Sequence, residues 1–125
     1  MSTVDSRMPF QVTVHHELSY LLLEVAGMAE TSDHRGVVAL AAAVCAAAPY
    51  RKCLIDLRRM HTEMPFTEHL QLGTFVGETL RSLEKVASVV TPAVRNGTSE
   101  KAAQRVGARL RAFTDIEDAK AWILS

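Results

Sequence analysis

Asp56 is the residue at which chemistry could most readily start. It closes an apolar run, Cys53-Leu54-Ile55-Asp56-Leu57. A carboxylate at the end of a buried strand can have its pKa raised by desolvation and act as a base. His61 is the nearest partner for such a role. An enzyme built on these two would need both side chains to converge in one pocket. The plainer reading is structural: the Asp56 carboxylate accepts hydrogen bonds from backbone N–H groups and fixes the loop that follows. No nucleophile–base pair, paired carboxylates or glycine-rich phosphate loop stands elsewhere in the chain. The expectation is therefore a protein that is not an enzyme.

A second chemistry is anion binding. In open α/β sheets, ligands sit beyond the carboxyl ends of the strands. Residues 28–30, 58–64 and 92–97 read as the loops at that end, and they carry Arg58, Arg59, His61, Arg95 and Asn96. Two of the loops lead into helices, whose N-termini favour anions. Arginine pairs with phosphate or carboxylate through two parallel bonds. A small anionic headgroup is the ligand these residues would suit. As ordinary solvated loop residues they need no ligand.

Metal chemistry has no such foothold. The histidines are His15, His16, His34, His61 and His69, and no Cys/His or Glu/His spacing resembles a metal site. His15 and His16 are adjacent on a strand, so they point to opposite faces and cannot chelate together. No metal and no cofactor is expected. Cys45 lies in an Ala-rich helical run and Cys53 opens a strand, so both read as buried reduced thiols.

Charge narrows the partners. Lys and Arg number 14, as do Asp and Glu, giving a net charge of zero. A nucleic-acid-binding surface would show a basic excess or cluster, so none is expected. No apolar run reaches the roughly 18 residues of a membrane span. The first residues lack the layout of a secretory signal, and a cytoplasmic setting is expected. The chain has 125 residues, 48 % hydrophobic and 22 % charged, which suits one globular domain.

The elements that must position these residues follow from periodicity. Residues 1–8 are polar and read as a frayed terminus, with a single domain over 9–125. Phe10, Val12 and Val14 alternate with Gln11, Thr13 and His15, the period of a half-buried strand. Residues 20–25 are apolar apart from Glu24, as in a more central strand, and the two pair as a hairpin. Gly27 ends it. Thr31, Ser32 and Asp33 offer caps for a helix whose apolar face is Val37, Leu40, Ala41, Val44 and Ala48, stopped by Pro49. After the strand at 53–57, Pro65 suits the first position of a helix running to about Leu83. Residues 86–91 form the next strand. Thr98 or Asn96 caps a short helix with Gly107 beyond its end. A strand at 110–113 and a final helix capped by Asp115 complete the chain, with Ile116, Ala119 and Ile123 inward.

The helix that begins at Pro65 holds the main surface feature. Phe66, Leu70, Val76, Leu80 and Leu83 form its apolar stripe. Gly73 and Gly77 lie within it and imply a close approach, read as packing on the sheet, since each glycine costs roughly 1 kcal/mol of helix stability. Phe75 projects the other way, among Glu68, Gln71 and Glu78. With Leu72 and Thr79 beside it, an exposed ring there is a candidate interface, including one between two copies of the chain.

The order β-β-α-β-α-β-α-β-α implies an α/β fold: a mixed, mostly parallel sheet of about five strands, an antiparallel first strand near an edge, and about four covering helices. That order resembles the STAS domains, named for sulfate transporters and anti-sigma factor antagonists, and more closely their small SpoIIAA-like relatives. The residues that carry the resemblance are Gly27, Leu54-Ile55-Asp56-Leu57-Arg58, and Phe113-Thr114-Asp115 through Ala119 and Trp122-Ile123. The resemblance spans almost the whole chain. It implies binding rather than catalysis, and it favours the structural reading of Asp56.

Anti-sigma factor antagonists carry a phosphorylated Ser in a turn at the start of the helix after this strand. Here that stretch reads Glu63-Met64-Pro65-Phe66-Thr67, where Thr62 and Thr67 are the nearest hydroxyls. The SpoIIAA-like group is also similar to the CRAL-TRIO lipid-binding fold, which implies membrane association or an apolar ligand. Three functions follow as expectations. The first is a non-catalytic regulatory module binding a protein partner or a second copy, without the usual serine. The second is a carrier of an apolar or amphipathic ligand, with a cavity under the helix from Pro65 opening at Gly73 and Gly77. The third is a small enzyme using Asp56 or His61.

Overall fold

A computed structural model describes residues 9–92 and 97–125, the side chain of Phe66 excepted. The expected frayed terminus at 1–8 lies outside the described residues. The chain order is β1 (Gln11–His16), β2 (Leu21–Met28), α1 (Thr31–Ala47), β3 (Lys52–His61), α2 (Phe66–Leu80), β4 (Lys85–Val89), α3 (Thr98–Arg105), β5 (Leu110–Phe113) and α4 (Ile116–Leu124). The strands form one five-stranded sheet in the order β1-β2-β3-β4-β5. β1 pairs antiparallel with β2, and all other pairs are parallel. The fold is the mixed α/β sheet expected, with β1 at an edge.

Each parallel step passes through a helix. Because crossovers keep one hand, a sheet built in sequential order carries those helices on one face. Leu21, Leu23 and Val25 of β2, Cys53 and Ile55 of β3, Val86 and Leu110 point to that face. They meet Val37, Val38, Ala41 and Cys45 of α1 and Leu80 at the end of α2. Fully burying each Leu or Val of this set contributes about 1.5–3 kcal/mol. The other face holds a smaller cluster: Tyr20, Leu22, Leu54, Ala87 and Val89 under Ala119 and Ile123 of α4. α4 packs on β3, β4 and β5. Among the described residues no helix packs on β1 from this side, and the near end of the sheet has one face without a described helix over it.

The final helix is fixed at both ends. Asp115 caps it, its Oδ1 accepting from the Glu117 N–H at 2.7 Å and the Asp118 N–H at 3.3 Å. At the far end Lys85 Nζ donates to the carbonyls of Trp122 (2.8 Å) and Ser125 (2.9 Å). A cation there satisfies orphan carbonyls and complements the helix dipole. Phe113 and Trp122 pack 5.7 Å apart, with the Arg111 guanidinium near both rings.

Several local expectations are corrected. The first helix is capped by Glu30, with the Asp33 carboxylate accepting from the Glu30 N–H at 2.8 Å. Pro65 is the extended residue before α2, at ψ 155°, and the helix ends at Leu80. Gly97 precedes α3 with φ +80°, a left-handed conformation that glycine adopts without strain, so neither Thr98 nor Asn96 is the cap. Gly107, at φ +100°, stands just beyond α3 as expected.

Gly73 and Gly77 do provide a close approach, but to α3 and not to the sheet. A Cβ on Gly73 would stand 2.6 Å from the Ser99 carbonyl oxygen and 2.8 Å from the Ala102 methyl. One on Gly77 would meet the Val106 side chain and lie 2.6 Å from the Ala103 carbonyl oxygen. α2 is thus sandwiched between α1 and α3.

Candidate functional site

The largest difference from the sequence reading lies in β3. Residues 58–61 continue the strand and are not part of a loop. They pair with the end of β2 after a break in register: Glu24 faces Asp56 and Ala26 faces Arg59. Leu57 and Arg58 therefore stand together opposite Val25, the arrangement of a β-bulge. In an unbroken strand Asp56 and Arg59 would point to opposite faces. The extra residue brings both to the face that α4 leaves open.

Asp56 is buried there and held by Arg58. Its Oδ1 accepts from the Arg58 backbone N–H (3.1 Å) and from Nε (2.9 Å), and its Oδ2 from Nη2 (2.8 Å). Burial by itself raises the Asp56 pKa. The hydrogen bonds from Arg58, with the nearby charges of Arg58 and Arg59, outweigh it and hold the carboxyl below its ordinary value. The raised pKa that a base would need is absent. His61 is exposed at the end of β3. At about 3.3 Å per residue, five positions separate it from Asp56 by roughly 15 Å. The two do not share a pocket, and the enzyme expectation loses its geometry. The backbone hydrogen bond is what the structural reading of Asp56 predicted.

Around this pair lies a small recess of about 70 Å³, lined by Gln11, Thr13, Glu24, Val25, Ala26, Asp56 and Arg59. Small-molecule sites usually occupy about 300–1,000 Å³. This one holds little more than water, whose share of liquid volume is about 30 Å³. Beside it His15 Nε2 meets Glu24 Oε1 at 2.5 Å. The open face is thus a charged, polar floor made by β1, β2 and the end of β3.

Of the five residues expected around an anion, Arg58 is engaged by Asp56, Arg59 lines the recess, and His61 stands at the strand end. Arg95 and Asn96 lie outside the described residues. Sequence reasoning did not single out Glu24, Gln11 or Thr13 as part of a site. Glu24 was the available signal, a lone charge within the apolar run of β2.

The interface candidates are separated. Leu72 is buried, which corrects its placement at the surface. Phe75 is half-buried against the helix-covered core, and the Arg35 guanidinium lies 4.8 Å over its ring. Thr79 is half-exposed. Phe75 floors an open groove of about 350 Å³ between α1 and α2, with Arg35, Leu70, Gln71, Thr74 and Glu78.

At the carboxyl end of the sheet the turns are tied together. His34 of α1 is buried, and its Nε2 is 3.2 Å from Thr62 Oγ1, just before α2. Thr31 Oγ1 donates to Glu68 of α2. Desolvation lowers the His34 pKa, and the charge of His69 lowers it further. Thr62 therefore braces this loop, while Thr67 is exposed in the first turn of α2.

No protein-family model matches the sequence, and no curated protein matches it. Solved structures do. An anti-sigma factor antagonist from Mycobacterium paratuberculosis superposes with a TM-score of 0.63 at 13 % identity, over 94 % of this chain and 96 % of that one. An uncharacterized protein of the DUF3478 family with a SpoIIAA-like fold, from Shewanella loihica PV-4, gives 0.57 at 19 % identity, over 91 % and 93 %. The fold is SpoIIAA-like. The likeness covers nearly the whole of all three chains. No described helix is long and apolar enough to cross a membrane.

Proposed function

We propose that this chain is a non-catalytic regulatory module that binds a protein partner through the open face of its sheet, without a phosphorylated serine. The observation that carries this reading is the bulge opposite Val25, which gathers Glu24, Asp56 and Arg59 on a face that no described helix covers. The recess there, about 70 Å³, is too small to enclose a substrate. Fixed charges on a rigid sheet suit a complementary protein surface, where they set register and partner choice. The whole-length likeness to an anti-sigma factor antagonist supports the same class of role. Where such proteins carry their serine, Pro65 and Phe66 stand here, and the Thr62 hydroxyl is engaged by His34. Regulation through this surface therefore does not require phosphate transfer to that turn.

The carrier reading fares worse. The opening it needed at Gly73 and Gly77 is filled by α3.

The test is affinity capture from extracts of the source cells, run in parallel with the wild type and Arg59→Glu. A protein retained by the wild type and lost by the folded variant supports the reading. Equal retention by both would move the binding surface elsewhere.

A further inference from the structure

The two edges of the sheet are built differently. Along β5 the outer backbone is closed by side chains of α3. Gln104 Nε2 donates to the Leu110 carbonyl at 2.8 Å, and the Ala112 N–H donates to Glu100 Oε2 at 2.8 Å. β1, the opposite edge, has no such cover among the described residues. The Glu17 N–H donates to the Tyr20 carbonyl at 3.1 Å, which sets the phase of the β1–β2 ladder. From Gln11 opposite Ala26 to His16 opposite Leu21, bonded and non-bonded pairs then alternate. Gln11, Thr13 and His15 therefore turn their backbone groups to β2, and Val12, Val14 and His16 turn theirs outward. The register is unbroken, and the strand holds no Lys, Pro or bulge, the usual devices that keep an edge unpaired. Val14, mid-strand, is an exposed apolar side chain.

We propose that the outer edge of β1 is an interface for a second copy of this chain, the two β1 strands pairing antiparallel and joining their sheets into one. The occupant follows from the sequence of the edge, which is self-complementary about Thr13. A two-fold axis there sets Thr13 opposite Thr13, Val12 opposite Val14, Gln11 opposite His15 and Phe10 opposite His16. An isologous interface requires such a match. Thr13 is bonded inward in each copy, so it forms a non-hydrogen-bonded pair across the axis. The outward groups of Val12 and Val14 then bond on either side of it. Val12 and Val14 lie on the same side of the strand, so four valines meet on the helix-covered side. Each Phe10 comes beside the second copy's His16, whose ring stacks on Tyr50 at 5.7 Å. On the open side the facing pairs are polar, and a Thr–Thr pair is favourable across strands. No pair sets like charges opposite each other. The pairing lies in the plane of the sheet. It leaves Glu24, Asp56 and Arg59 uncovered and sets the two open faces side by side, so it neither needs nor excludes the protein partner proposed above.

The test is sedimentation velocity and native mass spectrometry on the full chain over a micromolar concentration series. The wild type should be a dimer that dissociates on dilution. Val14→Pro removes an outward N–H that β2 does not use, so it should sediment as a monomer with unchanged circular dichroism. Thr13→Cys should oxidise to a covalent dimer linked through position 13, because a non-hydrogen-bonded pair brings its Cα atoms to about 4.5 Å, within disulfide reach. Gln11→Cys, which faces His15 and not its own copy, should stay unlinked. Cys45 and Cys53 are buried, and a peptide map identifies the linked position. A wild type that stays monomeric throughout the series overturns the proposal. So does a dimer that survives in folded Val14→Pro, or one in which Thr13→Cys links no better than Gln11→Cys; either result would put the interface elsewhere. If Val14→Pro does not fold, the comparison of the two cysteine variants decides. Arg59→Glu should remain dimeric, so this pairing and the partner-binding reading fail separately.

Discussion

Replacing Gly73 by alanine should destabilise the protein, and replacing Gly36 by alanine should stabilise it. Both glycines lie inside helices, where alanine is favoured by roughly 1 kcal/mol. Around Gly36 nothing lies within 4 Å of the added methyl, so the full gain applies. At Gly73 the methyl would stand 2.6 Å from the Ser99 carbonyl oxygen, 2.9 Å from the Ser99 Cα and 2.8 Å from the Ala102 methyl. Overpacking of this kind costs about 1–3 kcal/mol. Two of the opposing atoms are backbone and cannot swing aside, so the upper figure applies. The net loss is about 2 kcal/mol after the helical gain. At about 4 °C per kcal/mol for a domain of this length, Gly73→Ala should lower Tm by about 8 °C and Gly36→Ala should raise it by about 4 °C. Urea and thermal melts on the two variants read both signs. A Gly73→Ala protein as stable as Gly36→Ala would show that α2 and α3 do not meet as described.

Other perturbations test the electrostatic arguments. Asp56 has its pKa lowered in the folded state, so its contribution is present above its ordinary value near 3.8 and is lost as pH falls through the lower folded value. Asp56→Asn should destabilise at pH 7 and shrink the stability difference between pH 7 and pH 3 measured by urea unfolding. His34 also has a lowered pKa, and here the unfolded chain binds the extra proton. Stability should therefore drop as pH falls below about 6.5, and the same titration on His34→Gln should be flatter. Asp115→Ala removes the cap of α4 and should cost about 1 kcal/mol in urea melts. Lys85→Met removes the cation from the other end of that helix and should cost about 0.5–1 kcal/mol.

Much of the architecture was legible because it rests on local signals. The cap at Asp115, the glycine at 107 and the apolar run of β2 are properties of a few neighbouring residues; the first two stand where the sequence placed them, and β2 runs on through Gly27 to Met28. The bulge was not legible. Whether Leu57 and Arg58 face one residue or two depends on the register of β2 against β3, which no window of β3 records. Reading Arg58, Arg59 and His61 as a loop followed from their polarity. They extend the strand because the end of β2 is there to pair with them, on a face open to water. Leu72 was misplaced for a similar reason. A single-stripe helix has one buried face, but α2 lies between two helices, so positions off the stripe are buried too. The same sandwich explains why Gly73 and Gly77 meet α3. Phe75 read as an exposed ring, but it packs against the core, and its cover, Arg35, comes from a helix about forty positions earlier.

The most direct test of the central claim is deuterium uptake by the chain, alone and with its captured partner bound. The account predicts slowed exchange across β1, β2 and the end of β3, centred on Thr13, Glu24 and Arg59. Protection confined to α1 and α2 around Phe75, with β1 and β2 unchanged, would contradict it.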